Sequence, residues 1–398
     1  MLAQKLPIIG DNLTISDCCA ALKESFKNRL KQIDFQNTLS KSIQTKHLFF
    51  FSSGIASFYA ALSILKQFSK KREIILPAYT APSLVVAVKQ IGLEAKLCDI
   101  SLDDFNLDVD RLADIVNERT LAIVGVHMFG LPMSGLSKLK DNFKDVYLIE
   151  DCAQSFGSLI DNLPVGNLGD FSFFSFNRGK NFPLLQGGCL ATDNDNLAGR
   201  INSAYNTDCF RGSFRNLIDF IKGLAFVSAT NPYVYKTFYP LIARFKDVAP
   251  PKEVAIGQMS LFCEELGEIF STRINVSLMQ RFNNAAFLMS RLKDTEGLKL
   301  PKIEKNLSPI FNRFPILFDS GREREKIEME LSLLGVECSR MYLRPLHHIF
   351  DLGYKREEFS NANKFAENLL VFPVHPLVKE KHLSLIIMVL KEKLSNEL

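Results

Sequence analysis

An α/β fold is predicted for this chain, with a large domain on a mostly parallel central sheet and a smaller C-terminal α/β domain. Three observations predict it. Between about residues 47 and 192, short apolar runs alternate with helical patterns, the signature of βαβ units whose strands are covered on both faces. The rhythm breaks over about 205–252 and stops at Ala249–Pro250–Pro251, a natural boundary. A second, shorter α/β pattern then runs from about 312 to the end. The expected domains are therefore 1–252, carrying an atypical helical insertion at about 205–252, and 253–398.

The expected strands of the large domain are 47–51, 73–76, 95–99, 121–126, 146–150 and 170–176. The helical patterns between them are 56–68, 82–91, 110–116 and 134–142. Helix signals dominate from about 253 to 295. The small domain is read as a strand in 311–318, a helix over 322–334, a turn at Gly335, an extended stretch 336–339, and helices 360–369 and 379–394.

Composition bounds the function. With 398 residues, 47% hydrophobic and 23% charged, the chain can bury a substantial core. Basic and acidic residues number 48 and 44, a formal net charge of +4, which argues against a dedicated nucleic-acid binder. The eight cysteines form no C-x-x-C pair, so no zinc or other metal site is expected. Met1 to Asp11 has no long apolar core behind a basic start, and a cytoplasmic location with reduced thiols is expected.

In a parallel sheet, ligands sit beyond the carboxyl ends of the strands. Asp151 follows one such strand end. A carboxylate buried there needs a cationic or hydrogen-bonding partner, or else it serves as a helix cap. Twenty-nine residues later, Lys180 is flanked by aromatic residues and glycines. A partly buried lysine has a lowered pKa, and its free amine can form a Schiff base with a carbonyl. Ser52–Ser53–Gly54–Ile55 follows a strand and opens a helix, where backbone N–H groups and the helix dipole favour a phosphate. A lysine, an aspartate and a phosphate cup are together what pyridoxal phosphate requires. The hydroxyl of Ser175 could complete the cup.

At these residues the sequence resembles the DegT/StrS family of sugar aminotransferases, which have the fold type I pyridoxal-phosphate architecture. The resemblance lies in Glu150–Asp151–Cys152–Ala153–Gln154–Ser155–Phe156–Gly157, Val165–Gly166–Asn167–Leu168–Gly169–Asp170, Phe174–Ser175–Phe176 with Lys180, and Gln186–Gly187–Gly188. It extends to Tyr342–Leu343–Arg344–Pro345–Leu346–His347 and to 370–376. It implies that Lys180 carries the Schiff base and shuttles protons, that Asp151 pairs with the pyridinium nitrogen, and that Gln154 lies near the ring hydroxyl. It also implies that Ser175 and the Gly54 and Ile55 amides hold the phosphate, with Asn177 beside them. Relatives that replace this lysine with histidine are dehydratases, so Lys180 favours transamination.

Four departures stand out. Ile55 occupies a position where the family often has threonine. Ala81–Pro82 takes the place of a stacking aromatic, leaving Tyr79 or His127 to cover the ring. Gln186 stands for an acidic residue, and the family's Gly-Tyr-Asn-Tyr-Arg stretch is missing. Its place is taken by the 205–252 region. Between Arg211 and Lys246, that region holds six basic residues and the single acid Asp219. Such a basic, aromatic-rich helical pair either packs as an insertion or contacts a membrane surface peripherally.

The reading implied is a homodimeric, pyridoxal-phosphate-dependent aminotransferase. It would move an amino group from an amino acid, with glutamate as the expected donor, to a nucleotide-linked keto-sugar for surface polysaccharide or glycoconjugate. The alternatives are a related enzyme acting on a lipid-linked or non-sugar ketone and a non-catalytic protein on the same scaffold.

Overall fold

The computed structural model describes residues 5–27, 34–205, 213–243 and 251–395. Cys209, Arg211, Arg244, Lys246 and the Ala249–Pro250 boundary lie outside the described residues.

Two helices absent from the sequence reading come first, α1 (Ile15–Lys27) and α2 (Phe35–Ile43). The large sheet then builds from β1 (His47–Phe51), β2 (Glu73–Pro77), β3 (Glu94–Cys98), β4 (Thr120–Val126), β5 (Tyr147–Asp151), β6 (Phe171–Ser175) and β7 (Gly188–Thr192). Its spatial order is β1-β7-β6-β5-β4-β2-β3. The pairs β2–β3, β2–β4, β4–β5 and β5–β6 are parallel, whereas β7 runs antiparallel to both β6 and β1. Strand β7 follows a Gly-Gly pair and was not anticipated as a strand. Every residue of β4 is buried, as a parallel strand covered on both faces must be.

Helix α3 (Gly54–Gln67) starts two residues earlier than its apolar pattern suggests, because Ser53 caps it: its hydroxyl accepts the Ala56 amide at 3.2 Å. Helix α4 (Pro82–Gln90) opens on a proline, as the first helical turn permits. The insertion holds two helices, α5 (Ser213–Thr230) and α6 (Pro232–Ala243). Helices α7 (Leu261–Ser271) and α8 (Ile274–Leu292) follow.

The C-terminal part carries a three-stranded sheet of Leu298–Lys299, Phe314–Phe318 and Leu369–Phe372, flanked by helices Gly321–Leu333, Ser360–Asn368 and Glu380–Ser395. The expected boundary at 252/253 needs correction. Helix α7 packs against α1, α2 and α5, so it shares their layer rather than that of the C-terminal sheet. The N-terminal stretch crosses the other way, since Leu6 pairs with Val336. The chain thus interleaves the two parts.

Phenylalanine fills the space that tryptophan would otherwise take. Phe35 stacks on Phe50 with centroids 5.3 Å apart, and Phe176 and Phe182 meet its ring edge-on. This cluster packs the underside of the segment that leads to Lys180.

Candidate active site

The site forms where β1, β5 and β6 end. β5 delivers Asp151, which is 6% exposed and accepts the Ala153 amide at 2.9 Å. Burial pushes its carboxyl above the usual range, and the hydrogen bond from the Ala153 amide and the nearby Lys180 ammonium oppose that shift. Lys180 lies half-buried after the turn that follows β6. Burial lowers its amine to about 8, with Asp151 pulling it up and Arg313 pushing it down. The lysine and the aspartate therefore meet in one pocket, and the amine is poised near neutral pH, where a proton-transfer group is most effective.

The lysine turn is held from below. The side-chain amide of Asn312 donates to the Gly179 carbonyl at 2.5 Å. Asn181 donates to Phe156 at 3.1 Å and to Ile310 at 2.8 Å. The Arg281 guanidinium reaches the Lys180 carbonyl at 3.4 Å and the Asn312 carbonyl at 3.2 Å.

The terminus of α3 lies against the end of β6. A Cβ on Gly54 would meet the Ser175 Cβ at 2.8 Å and the Phe174 carbonyl at 3.1 Å. Only glycine lets the α3 terminus come this close to β6. The Gly54 and Ile55 amides belong to the first helical turn, where no upstream carbonyl within the helix can accept them. The Ile55 side chain packs against the core, so this residue offers its backbone only.

Among the described residues, the buried side-chain oxygens without a hydrogen-bond partner include Gln154 Oε1 and Thr80 Oγ1. Unmet buried polar atoms are costly and mark a place for a ligand. With the glycine cradle and the buried carboxylate, they make the residues present fit pyridoxal phosphate. Gln154 would meet the ring hydroxyl, Asp151 the ring nitrogen, and Ser175 with the Gly54 and Ile55 amides the phosphate.

A model of the DegT/DnrJ/EryC1/StrS aminotransferase family matches residues 11–222 and 270–391. The chain belongs to that family. The unmatched stretch, 223–269, overlaps the atypical insertion. The chain is 26% identical over 315 residues to GDP-4-keto-6-deoxy-D-mannose 3-dehydratase of Escherichia coli O55:H7, covering 76% of each chain. It is 22% identical to UDP-N-acetyl-3-dehydro-alpha-D-glucosamine 3-aminotransferase of Acidithiobacillus ferrooxidans, over 81% of this chain and 78% of that one. The fold matches that of DesI, solved with its TDP-sugar product, at a TM-score of 0.79 and 18% identity, covering 100% of this chain and 94% of that one. This DegT/DnrJ/EryC1/StrS protein is accordingly a pyridoxal-phosphate-dependent aminotransferase with an α/β transferase fold.

Some expected residues have other tasks in this aminotransferase. Tyr79 is 1% exposed and held by its own neighbours. Its hydroxyl lies 3.0 Å from the Arg340 and Tyr342 carbonyls and accepts the Tyr342 amide at 3.1 Å, and its ring meets Phe365 edge-on at 5.0 Å. It clamps the 340–342 turn. His127 is wholly buried with both nitrogens engaged. Nδ1 accepts the Met133 amide at 3.0 Å, so Nε2 carries the proton and donates to Glu150 at 3.0 Å. It has no nitrogen left for a cofactor. Asn177 is exposed, and its side chain accepts the Arg178 amide at 2.8 Å, shaping the lysine turn instead of lining the pocket.

His127, Glu150 and Cys152 offer ligand atoms within 4.8 Å of one another. The histidine nitrogens are already engaged, and Glu150 accepts the Gly166, Leu168 and Gly169 amides at 2.9, 2.7 and 2.6 Å. Burial also raises the Cys152 thiol far above its usual range. The trio is a structural knot under the site.

Arg313 and Tyr342 were missed as site residues. Arg313 belongs to the C-terminal part, and its charge acts on Lys180. Tyr342 interacts with Gln154, and its hydroxyl is raised by burial and by Asp151. Tyr342 lies in a stretch the resemblance had singled out. Arg313 carries no local signal at all.

Proposed function

We propose that this aminotransferase passes an amino group from glutamate to the keto group of a nucleotide-linked sugar, for surface polysaccharide or glycoconjugate. The observation that carries the reading is the Lys180 amine, lowered to about 8 and facing Asp151 across a pocket with unpartnered buried acceptors. Bound pyridoxal phosphate supplies an electron sink for the pair released when a Cα–H bond of the donor breaks. The protein's part is to hold and move protons. Asp151 keeps a proton on the ring nitrogen opposite it. Lys180 takes the proton at Cα and returns it one carbon away. Gln154 orients the ring through its hydroxyl, and the α3 terminus with Ser175 fixes the phosphate.

The acceptor class rests on relatives whose names specify GDP- and UDP-linked keto-sugars. One of them is a dehydratase. A lysine at position 180, where dehydratases of the family carry histidine, supports amino transfer. The chain is proposed to act as a homodimer.

The test is an absorbance titration of the purified protein with pyridoxal phosphate, for wild type and Lys180→Ala. A visible-edge band that borohydride traps on Lys180, and that glutamate bleaches, is the expected result. Mass spectrometry of GDP-, UDP- and TDP-linked keto-sugars would then identify the aminated product. No band at excess cofactor would overturn the reading.

A further inference from the structure

Helix α5 buries Phe226 and packs Phe220, Leu224 and Val227 against the core, yet it carries a second apolar stripe on its outer face. Phe214 is 76% exposed, Leu217 42%, Ile218 37% and Ile221 57%. Their spacing of i, i+3, i+4 and i+7 makes one helical stripe. Asn216 and Asp219, each 1% exposed, sit on the inner side. The Asn216 carbonyl oxygen accepts the Phe262 amide at 3.2 Å. Asp219 accepts from the Gln186 side chain and from Lys222 at 3.3 Å. A surface helix bathed in water has one apolar face, turned to the core, and a polar face outside; a second, outward apolar stripe marks a surface that meets a partner.

The charges indicate which partner. Within the described residues 213–243, Arg215, Lys222 and Lys236 are exposed, whereas the acid Asp219 is buried and turned inward. Helix α1 packs against α5 and adds Ile15 and Phe26, 53% and 46% exposed, together with exposed Lys23 and a Lys27 paired to Glu24. An apolar stripe bordered by cations suits an anionic bilayer. There the side chains enter the headgroup–acyl boundary and the cations meet phosphate. A second copy of the chain suits it less well. Two-fold pairing would lay the patch on itself and gather the bordering cations of both copies into one interface.

We propose that α5 lies in the plane of an anionic membrane surface and docks the enzyme there. At 18 residues, α5 is an in-plane element, and no helix of the described residues is long and apolar enough to cross a membrane. The inner face of α5 holds Gln186 through Asp219, next to Gly187, which bridges to Ser53 at the phosphate cup. Docking therefore places the active-site end of the sheet close to the lipid surface.

The test is flotation of the full-length, cofactor-loaded protein with vesicles of phosphatidylcholine alone or mixed equally with phosphatidylglycerol. The double variant Phe214→Glu/Ile221→Glu removes the stripe, and Arg215→Glu reverses one cation while leaving the apolar face intact. Wild type should float with the mixed vesicles and much less with the neutral ones. High salt should weaken it, Arg215→Glu should reduce it, and the double variant should lower the bound fraction about tenfold or more. The variants should keep the cofactor absorbance band and glutamate bleaching, so failure of docking is separable from failure of the proposed activity. Absence of flotation by wild type would overturn the proposal, as would equal flotation by the double variant. A change in oligomeric mass of the double variant, measured by light scattering, would show a subunit interface instead and overturn it as well.

Discussion

Arg281 and Asp11 form an ion pair at 2.9 Å with both side chains 1% exposed. The pair ties the N-terminal stretch to α8, and the same guanidinium reaches the carbonyl of Lys180. Burial raises the Asp11 carboxyl and lowers the Arg281 guanidinium, and the attraction between them opposes both shifts. Removing one partner leaves a buried charge uncompensated. Asp11→Ala should therefore destabilise the fold by about 3–5 kcal/mol in urea unfolding and weaken cofactor binding through the lysine turn. Unchanged stability would show that the pair contributes little.

Arg313 lowers the Lys180 pKa by repulsion. Arg313→Gln removes that repulsion, so the amine should titrate at a higher pH than its present value of about 8. The alkaline-rising limb of the rate of glutamate bleaching against pH should move to higher pH. A limb that stays in place would separate Arg313 from the lysine's titration.

Gly54 admits no side chain because its Cβ would stand 2.8 Å from that of Ser175. Gly54→Ala should push the α3 terminus away from β6 and raise the dissociation constant for pyridoxal phosphate about tenfold, or about 1.4 kcal/mol. An absorbance titration reads this directly. The far-ultraviolet circular dichroism should stay the same, since Ala is a better helix former than Gly.

Glu150 is wholly buried and accepts His127 and three backbone amides. These bonds hold its pKa below the usual value of 4.5 despite desolvation, which is the largest opposing effect. A carboxyl whose folded pKa is depressed stabilises the fold above its unfolded pKa, and that stability is lost as pH falls through the folded value. Glu150→Gln should flatten the acid limb of a stability-versus-pH curve measured by urea unfolding below about pH 5. An unaltered acid limb would argue against this role.

The strands that carry the chemistry were legible because each is a short apolar run followed at once by its functional residue. Asp151 and the Gly54 turn sit where that pattern put them, and Lys180 lies in the same pocket. Helix α1 was illegible because its inward face mixes Asp17 and Ser25 with Cys18 and Ala21, so no apolar period stands out. Strand β7 was hidden behind Gly187–Gly188, which reads as a turn until β1 and β6 close around it.

The sequence by itself determined the α/β alternation, the order of the site residues along the chain and the family to which they point, because these depend on local periodicity and on motifs a few residues long. Only the tertiary structure decided which side chains face the pocket. Tyr79 and His127 lie beside the site in sequence, yet their polar atoms are taken by Arg340, Tyr342, Glu150 and Met133. Arg313 lies 133 residues beyond Lys180, yet its charge reaches the amine. A hydrogen bond or a Coulomb interaction depends on distance in space, and that distance is set by packing between segments far apart in the chain.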